Sequence, residues 1–468
     1  MPTENLVQAP DSAVELPRDR RAQSPSPTLS LVASLLGFAL IMLDASVVNV
    51  ALPSMGSDLG GGMAGLQWVV DAYTIAFAAL LLSTGAFSDR IGATRAYTAG
   101  IALFTLASVA CGLAPNLPAL IGFRVVQGIA AAVVLPTTLA LVRQAYADPA
   151  QRGRAVSLWA AGGTTAAALG PVAGGALTTA WDWRAIFFIN LPVGLIALAL
   201  TFRAPRSARR PAPLDLPGQV TAVLALVALA FAVIEHGTLA LVALGVAVLS
   251  LAAFLRIESR HPHPVVPLGL FRNRTVAVAV TAGSALSVAF YGMIFVFGLF
   301  FQQVRDQSAL AAGLMFLPMT GLLVVVNVLS GRLASRHGPR LPMLTGQVLA
   351  VGGLLLLQLV DTDTSLVLTS MLLVPLALGA GLALPPLTAA MMEAVPTDRA
   401  GVAAGVLNAA RQVSGGLGVA AFGALVATGF EDGLRTSLAI SAALLTLTAL
   451  ATTRLARGGP AAPSKDSD

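Results

Sequence analysis

The chain has 468 residues, of which 56% are hydrophobic and only 11% are charged, and its formal net charge is +6. A soluble domain has about 25% charged residues, so this composition excludes a soluble enzyme. The positive charge does not indicate a nucleic-acid-binding protein, because the arginines lie in short loops between apolar blocks and form neither a run nor a single basic face.

Apolar blocks of roughly 20 residues recur along the chain, and this is the length at which a helix crosses a bilayer. They are too long and too uniformly apolar for barrel strands, which alternate at every second residue. The sequence therefore predicts an all-α integral membrane protein. From the N-terminus, the fourteen predicted spans are 29–52, 66–87, 96–114, 117–143, 154–179, 185–203, 217–235, 239–257, 275–302, 309–331, 341–360, 365–392, 400–428 and 435–456.

The arginines that flank the predicted spans fall almost entirely on one side of the membrane. The opposite side carries only Arg184, Arg305 and Arg435. Loops rich in arginine stay in the cytoplasm, so an even number of spans predicts that both termini are cytoplasmic. We therefore expect a multi-pass cell-membrane protein with a disordered N-terminal segment, 1–28, and a C-terminal tail, 457–468.

The two ends of the chain repeat one another. Residues 85–92 read GAFSDRIG and residues 331–338 read GRLASRHG, each in the loop after the second span of its half. Two further pairs of short matches, in the fourth and fifth spans of each half, are offset by a similar distance of about 250 positions. Parallel six-helix repeats of this kind are known in membrane transporters. The predicted domains are a six-helix half at 29–203, two extra helices at 217–257 and a second six-helix half at 275–456.

No metal, disulfide or catalytic site is predicted. The single cysteine, Cys111, lies inside an apolar block, and the four histidines are scattered at loop positions. No phosphate-binding loop of the form G-x-x-x-x-G-K-[ST] occurs, so a pump driven by ATP is not expected. Organic cofactors are not expected either.

Five motifs stand in the predicted spans and loops. They are LDASVVNVALP (43–53), GAFSDRIGATR (85–95), RVVQG (124–128), LGPVAGG (169–175) and GVLNAARQVSGGLG (405–418). Together and in this order they resemble the motifs of the major facilitator superfamily, and most closely its fourteen-span drug:proton antiporters. The resemblance implies a major facilitator fold in which two extra linker helices join two six-helix repeats. It also implies export of hydrophobic or amphipathic molecules, such as antibiotics, in exchange for protons.

Two segments are assigned to gating by this resemblance. In the loop 85–95, Asp89 is expected either to cap the positive end of the thirteenth span, locking the outward-facing state, or only to fix the turn. The family usually has several basic residues directly after Gly92, whereas Ala93 and Thr94 intervene here. Small residues of the fifth span permit close packing between helices. They are also expected to let the fifth and thirteenth spans slide at the interface between the halves, and the two roles are compatible. The gating candidates are Gly85, Asp89, Arg90, Gly92, Arg95, Gly170, Pro171, Gly174 and Gly175.

Ionisable side chains inside the spans are few, and each costs at least ~2.5–3.5 kcal/mol at a helix centre, so each needs a function or a partner. Asp44, Asp71 and Arg124 are predicted to lie in one layer of the first half. Two carboxylates and one guanidinium cannot neutralise each other fully, so one carboxylate is expected to take up a proton. We expect Asp44 to be the principal proton-coupling group, with Gln127 orienting Arg124. The alternatives are a structural pairing of Asp44 with Arg124 and a role for Asp71 in lining the entrance.

Arg411 lies near the middle of the thirteenth span, and no acidic residue of the second half lies at its depth. It serves either substrate binding or a structural role in which helix carbonyls, Asn408 or Gln412 accept its hydrogen bonds. The ninth span is equivalent to the first, so one face of its aromatic stripe is expected to line a cavity, although such stripes also occur in cores and against lipid. The candidates for the cavity are Gln127, Phe290, Tyr291, Met293, Phe297, Asn408 and Arg411.

We therefore predict a proton-coupled exporter of lipophilic small molecules that works as a monomer. The alternative is a solute importer of the same fold that uses proton symport, and the LGPVAGG motif and the two extra helices favour export. A receptor or scaffold has no need to bear the cost of buried charges. A lipophilic cation is expected to be the favoured substrate when Asp44 is ionised, because burying its charge needs a counter-charge.

Overall fold

The computed structural model describes residues 27–201, 207, 215–262, 264–396 and 399–455. Within these ranges the regular structure is helical and no strand occurs. The predictions of a disordered N-terminal segment and of a C-terminal tail fall outside the described residues, except that Pro27 and Thr28 already belong to the first helix.

Seven helices form the first half. Gly60, Gly61 and Gly62 turn the chain between the first two, and all three have a positive φ that side chains rarely permit. Asn116 and Asp148 precede two later helices, where their side chains accept hydrogen bonds from backbone N–H groups of the first turn. The helices are α1 (Pro27–Leu59), α2 (Gly62–Ile91), α3 (Ala93–Gly112), α4 (Leu117–Ala145), α5 (Pro149–Ala180), α6 (Ala185–Phe188) and α7 (Asn190–Thr201).

Two extra helices and then the second half follow. A 3₁₀ turn, Leu268–Arg272, leads into the second half, and a π turn, Phe300–Val304, ends its first helix. The extra helices are α8 (Leu216–Ile234) and α9 (Thr238–Glu258). The helices of the second half are α10 (Arg274–Leu299), α11 (Ala309–Met315), α12 (Leu317–His337), α13 (Arg340–Leu357), α14 (Leu366–Glu393), α15 (Ala400–Thr428) and α16 (Phe430–Thr453).

Twelve helices of the described chain are long and apolar enough to cross a membrane, two fewer than the fourteen predicted spans. The other two predicted spans correspond to α5 and to the pair α6–α7. Helix α5 has 32 residues but is less apolar, because arginines, glycines and threonines dilute its apolar residues. The pair α6–α7 is apolar but short. The chain is a multi-pass membrane protein.

Two predicted spans are interrupted, which corrects the expectation of continuous helices. The span 185–203 divides into α6 and α7, and the span 309–331 divides into α11 and α12. A proline follows each break. Pro192 and Pro318 have no N–H to donate to the carbonyl four residues earlier, so the helix cannot continue undisturbed through either position.

The helices pack as two equivalent bundles that meet along two seams. In the first half α1 lies along α5, and in the second half α10 lies along α15. We call the contact of α2 with α15 the first seam, and the contact of α5 with α11 and α12 the second seam. Helix α8 packs against both α2 and α15, and so covers the first seam.

The apolar cores differ between the two sides of the protein. We call the side that carries few arginines the outer side and the opposite side the inner side. The largest core joins the halves toward the outer side, where it includes Val47, Met55 and Leu66 of the first half and Phe297 and Phe301 of the second. Closer to the inner side a second core consists of residues of the first half together with Ala409 of α15. The halves are therefore packed together most extensively on the outer side.

The extra helices form a hairpin that is attached to α2 by hydrogen bonds. Gln219 of α8 donates to the Ala79 carbonyl over 2.6 Å and also bonds the Ser83 hydroxyl. At the other end of α8, the Trp68 indole donates to the Glu235 carboxylate over 3.1 Å. Contacts of α8 with α15 are apolar and involve Ala230, Ile234 and Ala420.

Candidate functional site

A buried ion pair lies inside the first half. Arg124 of α4 donates from Nη1 to Oδ2 of Asp44 on α1 over 2.6 Å. The Asp44 side chain is fully buried and that of Arg124 is 1% exposed. Removing two charges from water is costly, and a pair so deeply buried is stable only if further hydrogen bonds satisfy both groups.

Neutral side chains supply hydrogen bonds to the carboxylate. The side-chain amides of Gln127 and Asn190 both donate to Oδ1 of Asp44, over 2.7 and 2.8 Å. Asn190 also donates to the Ser108 hydroxyl, which in turn donates to the Phe187 carbonyl. The charge of Asp44 is therefore fully compensated by protein groups, and it offers no free counter-charge to a ligand.

Arg124 is held by more than the carboxylate. Its Nε donates to the Val69 carbonyl of α2 over 3.1 Å, and Nη1 also donates to Oε1 of Gln127 over 2.8 Å. The guanidinium carbon lies 4.2 Å from the centre of the Tyr73 ring, a cation–π contact. The network thus joins α1, α2, α3, α4 and α7 at one point.

Sequence reasoning missed Asn190 and Ser108. Both are polar side chains inside apolar blocks, and both are buried. Burying a polar side chain in a membrane helix costs free energy unless it has a hydrogen-bond partner. A polar residue inside an apolar block therefore predicts such a partner, and this pattern could have identified both residues. Asn190 also lies at the break between α6 and α7, and this break is not predicted from the sequence.

Asp71 of α2 lies near this network but does not belong to it. The side chain is fully buried, and neither carboxylate oxygen has a hydrogen-bond partner among the described residues. It faces Gly416 of α15, where an added Cβ would lie 3.1 Å from Oδ1. Asp71 therefore occupies the first seam, between the two halves.

Contacts between the halves close the outer side. At the first seam, Gln67 donates to the Ala420 carbonyl over 3.0 Å. Between the first helices of the two halves, Gln302 donates to the Val50 carbonyl over 2.9 Å. At the second seam, the Thr179 hydroxyl accepts from the first turn of α11 over 3.1 Å.

The inner ends of the helices at the seams are exposed instead. Phe87 of α2, Leu158 of α5 and Val402 of α15 are all exposed, and so is Asn408, about two turns further along α15. The protein is therefore closed on its outer side, whereas these side chains toward the inner ends of the seam helices are exposed.

The sequence profile of the Major Facilitator Superfamily matches residues 34–419. The chain belongs to this superfamily. Its relatives include the multidrug resistance protein Stp of Mycobacterium tuberculosis, 38% identical over 85% of this chain and 76% of that protein. The methylenomycin A resistance protein of Streptomyces coelicolor is 36% identical over 88% of each chain. The tetracenomycin C resistance and export protein of Streptomyces glaucescens is 33% identical over 90% of this chain and 80% of that protein.

Solved structures of superfamily transporters share the fold. A bacterial homologue of the human lysosomal transporter Spinster, in an inward-facing and occupied conformation, has a TM-score of 0.67 at 16% identity, covering 92% of this chain and 97% of that chain. A D-xylose–proton symporter has a TM-score of 0.66 at 16% identity, covering 92% and 98%. At such identities the likeness shows the fold alone, and the fold is that of the major facilitators.

The segment 85–95, predicted as a gating loop, is almost entirely helical: it forms the last turns of α2, Gly92 and the first residues of α3, on the inner side. Gly92 has a φ of +94°, which explains the need for glycine between two helices that follow each other directly. Asp89, Arg90 and Arg95 are exposed, and Gly85 is partly exposed. Among the described residues Asp89 forms no salt bridge. The lock between this loop and α15 stays a prediction about the outward-facing form.

Two glycines of α5 allow this helix to lie directly against α1. A Cβ on Gly170 would overlap the Ser46 hydroxyl, and one on Gly174 would lie 2.6 Å from the Val47 carbonyl. Small residues let helix backbones approach each other in membranes, where they replace the hydrophobic effect as a source of packing energy. These two positions therefore fix α5 within its own half.

Gly175 faces the other half. A Cβ there would overlap the Ala309 carbonyl and lie 2.8 Å from Cα of Leu310, both on α11. Four residues earlier, Pro171 contributes a backbone carbonyl that packs against Gly313 of α11. The backbones of α5 and α11 therefore touch at the second seam, on the side where the protein is closed.

We expect Gly175→Ala to open the outer side. The added methyl group meets backbone atoms, which cannot turn away, so α5 and α11 must separate. In a Cys111→Ala background, a cysteine at the buried position 49 should then react faster with a membrane-impermeant maleimide from outside. Gly122→Ala is the matched control, because nothing lies within 4 Å of its Cβ. Equal labelling rates in the two variants would show that this contact does not hold the outer side closed.

The predicted cavity residues of the second half divide into two groups. Met293 and Phe297 are fully buried in the large core, so they are not accessible in this conformation. Phe290 and Tyr291 are partly exposed, with ring centres 5.5 Å apart. Arg411 is partly exposed and packs its aliphatic stem against Gly283 of α10. A role in substrate binding stays a prediction for all of them.

Proposed function

We propose that this protein exports lipophilic small molecules, antibiotics among them, in exchange for protons. Relatives with 33–38% identity across most of the chain are named for resistance to several drugs, to methylenomycin A or to tetracenomycin C. One of them is named as an export protein. We place the protein in the cell membrane with both termini in the cytoplasm, on the strength of the arginine distribution. We also propose that it functions as a monomer.

The proposed coupling depends on the buried carboxylate of Asp71, which has no partner. An ionised carboxylate costs at least ~2.5–3.5 kcal/mol at the centre of a membrane helix. Asp44 avoids this cost through Arg124, Gln127 and Asn190. Asp71 has no such partners among the described residues, so closing the first seam over it favours its protonated form.

This arrangement suggests how proton uptake and closure are linked. When the first seam separates on the outer side, Asp71 becomes accessible from outside and can take up a proton there. The neutral side chain can then be enclosed as α2 and α15 come together. Closure of the empty protein thus requires a proton from outside, which is the return step of an antiporter. Release to the inner side must follow, and a substrate that loosens α2 from α15 would open that route.

We expect expression of the protein in a drug-sensitive bacterial host to lower the accumulation of at least one lipophilic dye or antibiotic. An uncoupler should restore the accumulation, because it removes the proton gradient. In inside-out vesicles, protons and substrate should move in opposite directions. If protons and substrate move in the same direction, the protein is a symporter and not an antiporter, and only the fold assignment remains. Asp182→Asn changes a carboxylate that is 48% exposed in a loop on the outer side. This variant should export as the wild type does, and it is the control for the variants of buried carboxylates.

A further inference from the structure

We propose that Arg411 is an anchor for an anionic group of the substrate, so that the preferred cargo is a lipophilic acid and not a lipophilic cation. This inference rests on the proposed export function and names the chemistry of its substrate. It reverses the charge preference expected from the sequence, where Asp44 was assumed to be available as a counter-charge.

The first step is the balance of charges inside the bundle. Four side chains of the Asp, Glu, Lys and Arg types lie deep in the described helices of the two halves, namely Asp44, Asp71, Arg124 and Arg411. Asp44 and Arg124 cancel each other in a saturated network. Asp71 is neutral once it carries a proton. Within the part of the chain that the structure describes, the interior of the protonated protein therefore retains one positive charge, that of Arg411.

The second step is the absence of a protein partner for that charge. Arg411 forms no hydrogen bond or ion pair with the described residues, and its Nε is buried without an acceptor. Asn408 and Gln412, the alternative partners expected from the sequence, do not accept from it. A guanidinium carries five N–H donors in a rigid fork that fits a carboxylate. Apart from the buried Nε–H, the four donors on the two terminal nitrogens of Arg411 have no protein partner among the described residues.

The third step is the direction in which the side chain points. Its stem passes Gly283, whose added Cβ would lie 3.4 Å from Cγ of Arg411. Tyr291 of α10 packs against Gly415, one turn further along α15, where an added Cβ would lie 2.8 Å from Cδ2 of the ring. The stem of Arg411 therefore lies on the face of α15 that packs against α10, one turn from this tyrosine. Asn408, one turn closer to the inner side, is exposed.

These observations describe a subsite that is reached from the inner side. Asn408 lies one turn closer to the inner end of α15, Arg411 provides the charge, and Tyr291, with Phe290 against its ring, provides partly exposed aromatic surface. A carboxylate or phenolate can pair with the guanidinium, while the apolar body of the molecule packs on the rings. A cation entering the same space would meet an uncompensated positive charge in a medium of low dielectric constant, and would be repelled.

The test compares two dyes that share one ring system and differ in charge, the anion fluorescein and the cation rhodamine 123. Binding is measured on the purified full chain in detergent, and transport is measured in proteoliposomes. The wild type should bind fluorescein more tightly than rhodamine 123. In Arg411→Gln the affinity for fluorescein should fall about tenfold or more, the loss expected for a charge-assisted hydrogen bond, while rhodamine 123 binds equally well or better. Arg411→Lys should keep part of the preference.

The matched control is Arg435→Gln, which removes an exposed arginine on the outer side and should change neither affinity. The inference is overturned if the wild type binds the cation as tightly as the anion, or if Arg411→Gln weakens both dyes equally. Because binding is measured in detergent and transport in proteoliposomes, the experiment distinguishes a failure of the subsite from a failure of the export function. Selective binding of fluorescein without transport in the liposomes would retain the subsite and count against the proposed exporter.

Discussion

Replacing Arg124 by alanine is expected to destabilise the protein by about 3–5 kcal/mol, since it leaves Asp44 as a buried charge without its ionic partner. The network around Asp44 joins five helices of the first half, so its loss should also abolish transport. A clear fall in the midpoint of thermal unfolding in detergent is the expected measurement. Arg143→Ala, at the exposed inner end of the same helix, should leave the midpoint unchanged.

A double variant separates charge from packing. Asp44→Asn combined with Arg124→Gln removes both charges and keeps most hydrogen-bonding groups. It should unfold at a higher temperature than Arg124→Ala, because no charge is left unpaired. An Arg124→Ala variant as stable as the wild type would mean that water or another side chain reaches Asp44, and the ion pair would then be of minor importance.

Asp71→Asn is expected to separate substrate movement from proton movement. The amide resembles the protonated carboxyl in shape and has no charge, so the first seam can close at any pH. Uphill efflux should fall to the level seen with an uncoupler, whereas downhill exchange of substrate should continue. The variant should also insert and fold normally, because it removes the potential cost of an ionised buried group. Transport is measured in inside-out vesicles with and without an imposed pH gradient.

Asp44→Asn is the informative comparison, because the sequence analysis assigned proton coupling to Asp44. If Asp44→Asn loses uphill efflux while Asp71→Asn retains it, the coupling role belongs to Asp44 and the assignment to Asp71 is wrong. If only Asp71→Asn loses proton dependence, Asp44 is the structural partner of Arg124, which was the alternative interpretation. Asp182→Asn serves again as the exposed control.

Much of the fold could be predicted from the sequence, because the bilayer imposes a simple rule on it. Apolar blocks that must satisfy their own backbone groups form helices, and the arginine-rich loops orient them. The breaks in two predicted spans were missed, although Pro192 and Pro318 were visible. A proline near the start of a helix is compatible with helix formation, so the residue alone does not reveal that a new helix begins there.

The candidate site could be predicted only in part. The rarity of charge in the spans pointed to Asp44, Asp71, Arg124 and Arg411, and depth along the helices suggested that the first three share a layer. Whether Asp44 or Asp71 forms the ion pair with Arg124 depends on the rotation of each helix and on the register between helices. Neither can be predicted from one sequence. The isolation of Asp71 depends in addition on a second-half residue, Gly416, more than 300 positions away.

The hairpin of α8 and α9 makes the two seams unequal. Helix α8 packs across the first seam, and in the described chain the hairpin makes no comparable contact with α5 or α12 at the second. Most of the α9 surface is exposed leucine and valine, which lipid must cover. Acyl chains can therefore border the second seam directly, whereas α8 and α9 keep them away from the first. Seen along the membrane normal, the first seam is therefore covered by the hairpin and the second is open to lipid. A molecule that diffuses within the bilayer can thus reach the interface between the halves only at the second seam.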